Sequence, residues 1–180
     1  IKVEPKIAGL LCSAIVSDTL LFRSPTCTPV DEMAARALAD IAGIDIEKYA
    51  MEMFSAGSNL KDKSDEEIFY QDFKRFTSGK VTIGVGQITS VSEAGLRAQI
   101  PALQQLMKEK TEKDPSTMLF FLLTNIIEEN SIVLCSGAKA EEILKQSNHI
   151  EEIPSDGLLV PGMVSRKKQF LPSIIATLQQ

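Results

Sequence analysis

The 180 residues carry 19 Lys and Arg against 24 Asp and Glu, a formal net charge of −5, and are 44% hydrophobic. Such a chain can bury a core, but it lacks the broadly basic surface that nucleic acids or anionic membranes require, so neither is an expected partner and any anion site must be local. Three widely spaced cysteines without a CxxC pair fit a reducing cytoplasm, and the lone histidine, His149, excludes a histidine-rich metal centre built from this chain alone.

The chain opens on Ile-Lys-Val-Glu-Pro-Lys without an initiator Met, which suggests a piece of a longer polypeptide. The apolar run Ile7 to Val16 is about half of the roughly 20 residues needed to cross a bilayer, and no signal peptide or lipid anchor is visible. From Pro5 the residues Ile7, Leu10, Leu11, Ala14 and Ile15 recur at helical spacing, which predicts a helix to about Phe22 with that stripe against a core. Asp18 falls on the same stripe. A carboxylate there is expected to be partly buried and to need a cation, a metal or N–H donors, or else to cap the helix end and pair with Arg23.

Thr28-Pro29 followed by Asp31 and Glu32 predicts an N-cap, an N1 proline and first-turn acids for a helix to about Ala42, closed by Gly43. Asp45 caps another through about Ala56. The aperiodic polar stretch from Gly57 to Lys63 reads as a linker. Ser64-Asp65-Glu66-Glu67 matches a capping box, and Ile68, Phe69, Phe73 and Phe76 supply the apolar side of the predicted helix, which ends at Thr77-Ser78-Gly79. Lys74 falls on its polar side, where a solvated lysine is the ordinary expectation.

Beyond Lys80 the pattern alternates between β and α. Val81 to Thr89 reads as a strand, Ser92 to about Lys113 as a helix, and Thr117 to Asn125 and Ser131 to Ser136 as two strands joined by a hairpin-like turn. Ala138 to Gln146 is predicted helical, Gly157 to Met163 a short strand, and the end of the chain a helix through Ile174 and Leu178. Gly84-x-Gly86 lies inside a strand and is no dinucleotide fingerprint.

Ser165-Arg166-Lys167-Lys168-Gln169 stands at or just before the N-terminal end of that last helix. Each cation there is destabilised by roughly 0.3 to 1 kcal/mol, because a helix N-terminus is itself positive. A bound phosphate would resolve the conflict through backbone N–H groups, a guanidinium and ammonium charges together. A solvated basic end is the alternative, and charge alone does not separate the two.

The run Ala8-Gly9-Leu10-Leu11-Cys12-Ser13-Ala14-Ile15-Val16-Ser17-Asp18-Thr19-Leu20-Leu21-Phe22-Arg23-Ser24-Pro25-Thr26-Cys27-Thr28 resembles the last signature of the DHH phosphoesterase domain in family II, manganese-dependent inorganic pyrophosphatases. Ser165 to Gln169, followed by Pro172, resembles that family's C-terminal substrate-binding signature. The resemblance implies an α/β chain in three parts. Residues 1–57 would be the helical end of a DHH domain, 58–63 a linker, and 64–180 a DHH-associated domain with a mixed sheet and flanking helices. It also implies that Asp18 is a metal ligand, that Arg166 and Lys167 grip pyrophosphate, and that Lys74 is a further substrate lysine.

The cofactors implied are manganese or cobalt, with magnesium accompanying the substrate, around a hydroxide that attacks phosphorus in line. Closure over the linker would exclude water from the reaction. The motifs carrying the other metal ligands, including Asp-His-His, would lie in a missing N-terminal DHH domain, so the 180 residues alone are expected to be inactive. The full-length protein would be a cytoplasmic homo-oligomer. Asn125 stands where an aspartate is common in the family. An exopolyphosphatase or other DHH-type phosphohydrolase, or a non-catalytic anion-binding module, would use the same basic cluster.

Overall fold

A computed structural model describes residues 3–60, 63–78, 81–137 and 139–179. The chain divides into two compact units, Ile1–Asn59 and Leu60–Gln180. Residues 61 and 62, in the expected linker, lie outside the described residues.

The first unit holds three helices, α1 (Pro5–Thr19), α2 (Pro29–Ala42) and α3 (Ile46–Gly57). The caps of α2 and α3 form as their sequences predict. Thr28 and Asp31 make a reciprocal capping box, Gly43 closes α2 at φ 69°, and the Asp45 side chain accepts from Lys48 N. The face that α1 buries differs from the expected one. Ala8, Cys12, Val16 and Thr19 are buried, whereas Ile7, Leu10 and Leu11 are exposed.

Small side chains explain the choice. Ala8 and Cys12 on α1, Ala35 and Ala39 on α2, and Ala50 on α3 are all buried, and small residues let helix backbones approach closely. The large apolar stripe is left open within this unit, with Leu10 68% exposed. Beyond Thr19 the chain takes three successive left-handed residues, Leu20, Leu21 and Phe22, at φ 51°, 50° and 68°. Each costs roughly 1–2 kcal/mol for a residue with a Cβ. Phe22 N donates to Thr19 Oγ1, and the Arg36 guanidinium lies over the Phe22 ring, 5.2 Å from its centroid.

The second unit begins with α4 (Asp65–Tyr70), whose Ser64–Glu67 capping box forms as predicted. The expected helix through Phe76 does not. It stops at Tyr70, and Phe73–Ser78 is a strand, β1, paired antiparallel with β2 (Val81–Ser90). The Phe69, Phe73, Phe76 spacing satisfies a helix period, but pairing with β2 places Phe73 and Phe76 on opposite faces of the sheet, each against its own core.

Between Ser92 and Lys113 one expected helix is two, α5 (Glu93–Arg97) and α6 (Ile100–Lys113), with the break just ahead of Pro101. The sheet continues through β3 (Thr117–Asn125), β4 (Asn130–Ser136) and β5 (Leu158–Pro161), in the order β1-β2-β3-β4-β5. Among the described strands only β2 and β3 are parallel, so the sheet is mixed, and α5 and α6 make their crossover. The nine residues of β3 are all buried, as expected of a central strand covered on both faces.

Leu119, Phe121 and Leu123 point to the core under α4, α5 and α6, and Met118, Phe120 and Leu122 to the core under α7 (Ala140–Asn148) and α8 (Leu171–Leu178). Gly84 has no room for a Cβ, because the Phe73 ring and Leu119 would collide with it. His149, left-handed at φ 54°, closes α7 in the place usually taken by glycine. Asn125 accepts from the amides of Ile127 and Glu128 and so shapes the β3–β4 turn.

Candidate functional site

Ser165 to Gln169 forms the first turn of the last helix, a π-helical turn over Arg166–Phe170 that runs into α8. The backbone just ahead of it, at Met163 and Val164, is held by a network of side chains from three strands. Gln87 of β2 donates to Thr124 Oγ1 and to the Val164 carbonyl, Thr124 and Ser131 share a 2.8 Å hydrogen bond, and Ser131 donates to the Met163 carbonyl. Thr124 and Ser131 are fully buried, so these bonds satisfy groups that would otherwise be costly to bury.

The turn also binds itself. Gln169 Oε1 accepts from the amides of Val164 and Ser165 at 3.0 and 2.9 Å, Gln169 Nε2 donates to Gly162 O at 2.7 Å, and Ser165 Oγ accepts from Lys168 N. The basic cluster therefore stands on a fixed backbone.

Arg166 reaches across to the start of β1. Its Nη1 donates to the carbonyls of Asp72 at 2.6 Å and Val85 at 3.3 Å, and its Nη2 pairs with the Asp72 carboxylate at 2.9 Å. Only 11% of the side chain is exposed, and Nε is buried with no partner among the described residues. Asp72 holds one arginine by both its main chain and its side chain, so the guanidinium is paired with a carboxylate and fixed in place. The unsatisfied Nε–H is a donor that a reoriented guanidinium would offer to an incoming anion.

Lys74 lies on β1 rather than on a helix, opposite Val85, whose carbonyl accepts from Arg166. Residues opposite each other in an antiparallel pair are about 5 Å apart at Cα. Pairing therefore brings Lys74 and Arg166 to one face of the sheet, although they are far apart in sequence. Lys74 and Lys167 are both exposed, as is Lys168. Asp18, in the first unit, is exposed at the penultimate position of α1, because the stripe that carries it is the open one. The partial burial expected of its carboxylate is absent.

Among the described residues no group of three or more His, Cys, Asp or Glu side chains is placed to hold a metal ion. Asp18 belongs to no such group. No described helix is long and apolar enough to cross a membrane. Two parts of the site escaped sequence reasoning. Asp72 carries no local signal, and the Gln87, Thr124 and Ser131 network shows only as polar residues at the ends of apolar strands.

Residues 51–177 match the model of the DHHA2 domain. A probable manganese-dependent inorganic pyrophosphatase of Clostridium acetobutylicum is 42% identical over 179 residues, an alignment covering 98% of this chain and 57% of that protein. A cobalt-dependent inorganic pyrophosphatase of Clostridium perfringens is 44% identical, covering 97% and 31%. The manganese-dependent inorganic pyrophosphatase of Bacillus subtilis is 37% identical, covering 96% and 55%. The crystal structure of a putative family II inorganic pyrophosphatase of Methanococcus jannaschii superposes with a TM-score of 0.85 at 33% identity, over 100% of this chain and 58% of that one. The chain thus spans little more than half the length of most of these relatives.

Proposed function

Since the chain belongs to the DHHA2 domain family, we propose that it is the substrate-gripping part of a family II inorganic pyrophosphatase, which hydrolyses pyrophosphate to two phosphates. In this reading residues 1–57 end a DHH phosphoesterase domain, 58–63 are the linker and 64–180 the DHH-associated domain. The observation that carries it is the gathering of Arg166 and Lys74 on one sheet face, with Lys167 beside them, on a backbone fixed from three strands. In a chain of net charge −5 this is a local cationic surface suited to a polyphosphate anion.

Lys74 and Lys167 are point charges free to meet phosphate oxygens, and Arg166 supplies a directional fork. Pyrophosphate competes with the Asp72 carboxylate for that fork. The turn amides already committed to Gln169 and Ser165 keep the loop in one shape and limit reorganisation on binding.

Manganese or cobalt, with magnesium on the substrate, would supply an activated water and neutralise phosphate charge. This chain contributes one ligand, Asp18, and the remaining ligands belong to the N-terminal DHH domain of the longer polypeptide. The open stripe of Ile7, Leu10 and Leu11 is the surface on which that domain would rest. The protein is placed in the cytoplasm on this reading, as a homo-oligomer when full length. Phosphate release from pyrophosphate and from long polyphosphate by the intact protein tests it. Hydrolysis of pyrophosphate in preference to polyphosphate is expected, and the reverse preference would make it an exopolyphosphatase.

A further inference from the structure

A second cationic pocket lies on the reverse side of β1. Phe73 and Arg75 alternate with Lys74 along that strand and face the other way, toward the core under α4 and α6. Here a cavity of about 160 Å³ opens between the end of α4, the end of α6 and the start of β3. Its apolar wall is Phe69, Tyr70, Phe73 and Leu119, with the three rings packed at centroid distances of 5.0 to 5.4 Å.

The rim carries Arg75, Lys110 and Lys113 against one carboxylate, Asp114. Asp114 is occupied, because it accepts from Ser116 N and from the hydroxyls of Ser116 and Thr117, and those hydroxyls hold its carboxyl below the usual carboxylate range. Lys110 is fixed over the Tyr70 ring at 4.6 Å and bonded to Glu66 at 3.2 Å. Arg75 and Lys113 are exposed, and among the described residues no hydrogen bond or ion pair ties them down. Two cations without a direct hydrogen-bond or ion-pair partner among the described residues thus stand at the mouth of an aromatic cavity in an acidic chain, Arg75 near enough to Asp114 to help lower its carboxyl. Water satisfies such cations alone, and an apolar ligand satisfies such a wall alone. A ligand carrying both a ring and an anionic group satisfies both.

We propose that this pocket binds a small aromatic anion, one planar ring against Phe73, Tyr70 and Leu119 with its phosphate or carboxylate on Arg75 and Lys113. The volume sets the size, since it falls below the roughly 300–1,000 Å³ of pockets that enclose drug-sized ligands and so takes a single ring with the charged group outside. The site is distinct from the basic turn at Ser165 to Gln169, which lies on the opposite face of the sheet.

The test is a residue-resolved NMR titration of the 180-residue chain with phenyl phosphate, with phenol, inorganic phosphate and benzoate as separate arms. The expected result is saturable shifts at the amides of Arg75, Lys113 and Thr117, with a dissociation constant on the order of 1 mM. Phenol and inorganic phosphate should each bind there at least tenfold more weakly. Comparable binding of benzoate supports an aromatic carboxylate as ligand, and its failure beside phenyl phosphate supports a phosphate ester. The exposed pair Arg75→Ala and Lys113→Ala together should cost at least tenfold in affinity with an otherwise unchanged spectrum. Shifts confined to residues 165–169, inorganic phosphate binding as well as phenyl phosphate, or undiminished binding by the double variant would each overturn the proposal.

Discussion

Asp72→Asn removes the charge 2.9 Å from Arg166 Nη2 while keeping an oxygen in its place and leaving the Asp72 carbonyl untouched. The pair is neither a surface ion pair nor a buried one, because Asp72 is half exposed and Arg166 only 11% exposed. Exposed pairs contribute up to about 1 kcal/mol and breaking buried ones costs about 3–5, so a loss of about 1–2 kcal/mol is expected. For a unit of this size that lowers Tm by roughly 5 °C. A double-mutant cycle with Arg166→Met, followed by urea unfolding, should give a coupling of about 1–2 kcal/mol. The same substitution ends the neutralisation of Arg166, so pyrophosphate should bind up to about tenfold more tightly, equivalent to roughly 1.4 kcal/mol. A coupling below about 0.3 kcal/mol, or weaker pyrophosphate binding by Asp72→Asn, would refute the claim that Asp72 competes with substrate for this guanidinium.

Other outcomes follow from single contacts. Gln169→Ala loses the bonds to Val164 N, Ser165 N and Gly162 O; it should raise KM for pyrophosphate several-fold in the intact enzyme while moving Tm by only a few degrees, and an unchanged KM would remove the loop-fixing role. Leu10→Glu should change the urea stability of the 180-residue chain by less than about 0.5 kcal/mol, since Leu10 is open there, yet destabilise the longer polypeptide by about 2 kcal/mol. His149→Gly should stabilise the chain by up to about 1 kcal/mol in thermal unfolding, by relieving a left-handed residue at a helix end. Burial raises the Cys135 thiol from 9.0 to about 11. Because the folded value is the higher one, folding holds the proton more tightly, and that stabilisation is complete below pH 9 and fades as pH rises through 11. Iodoacetamide should accordingly label Cys135 more slowly than an unfolded-chain thiol at pH 8, and equal rates would contradict its partial burial.

Much of the fold is local chemistry, and that part was legible. Thr28-Pro29 with Asp31, Asp45, and Ser64 with Glu67 each encode a helix start within four residues, and the apolar run of β3 encodes a buried strand. The failures share a cause. Phe73 to Ser78 becomes a strand through pairing with Val81 to Gly86, and spacing along one segment cannot register a partner. Apolar residues at helical spacing are normally buried, but on α1 the small residues of the other face permit the closest packing and the large stripe stays open.

For the site the division is similar. The basic cluster stood out as an electrostatic conflict at a helix start, and Lys74 gained meaning only from resemblance. Asp72, which holds Arg166 across 94 residues of sequence, leaves no trace in local pattern.

In the proposed function Arg166 and its neighbours grip pyrophosphate for metal ligands supplied mostly by the rest of a longer polypeptide. Manganese-dependent phosphate release tests it most directly, compared for the intact enzyme, its Arg166→Ala variant and the 180-residue chain. Turnover by the intact enzyme is expected, with a loss of at least about 100-fold in kcat/KM for Arg166→Ala, roughly 2.7 kcal/mol, and no turnover by the 180 residues alone. Full activity in Arg166→Ala, or hydrolysis by the 180-residue chain, would contradict it.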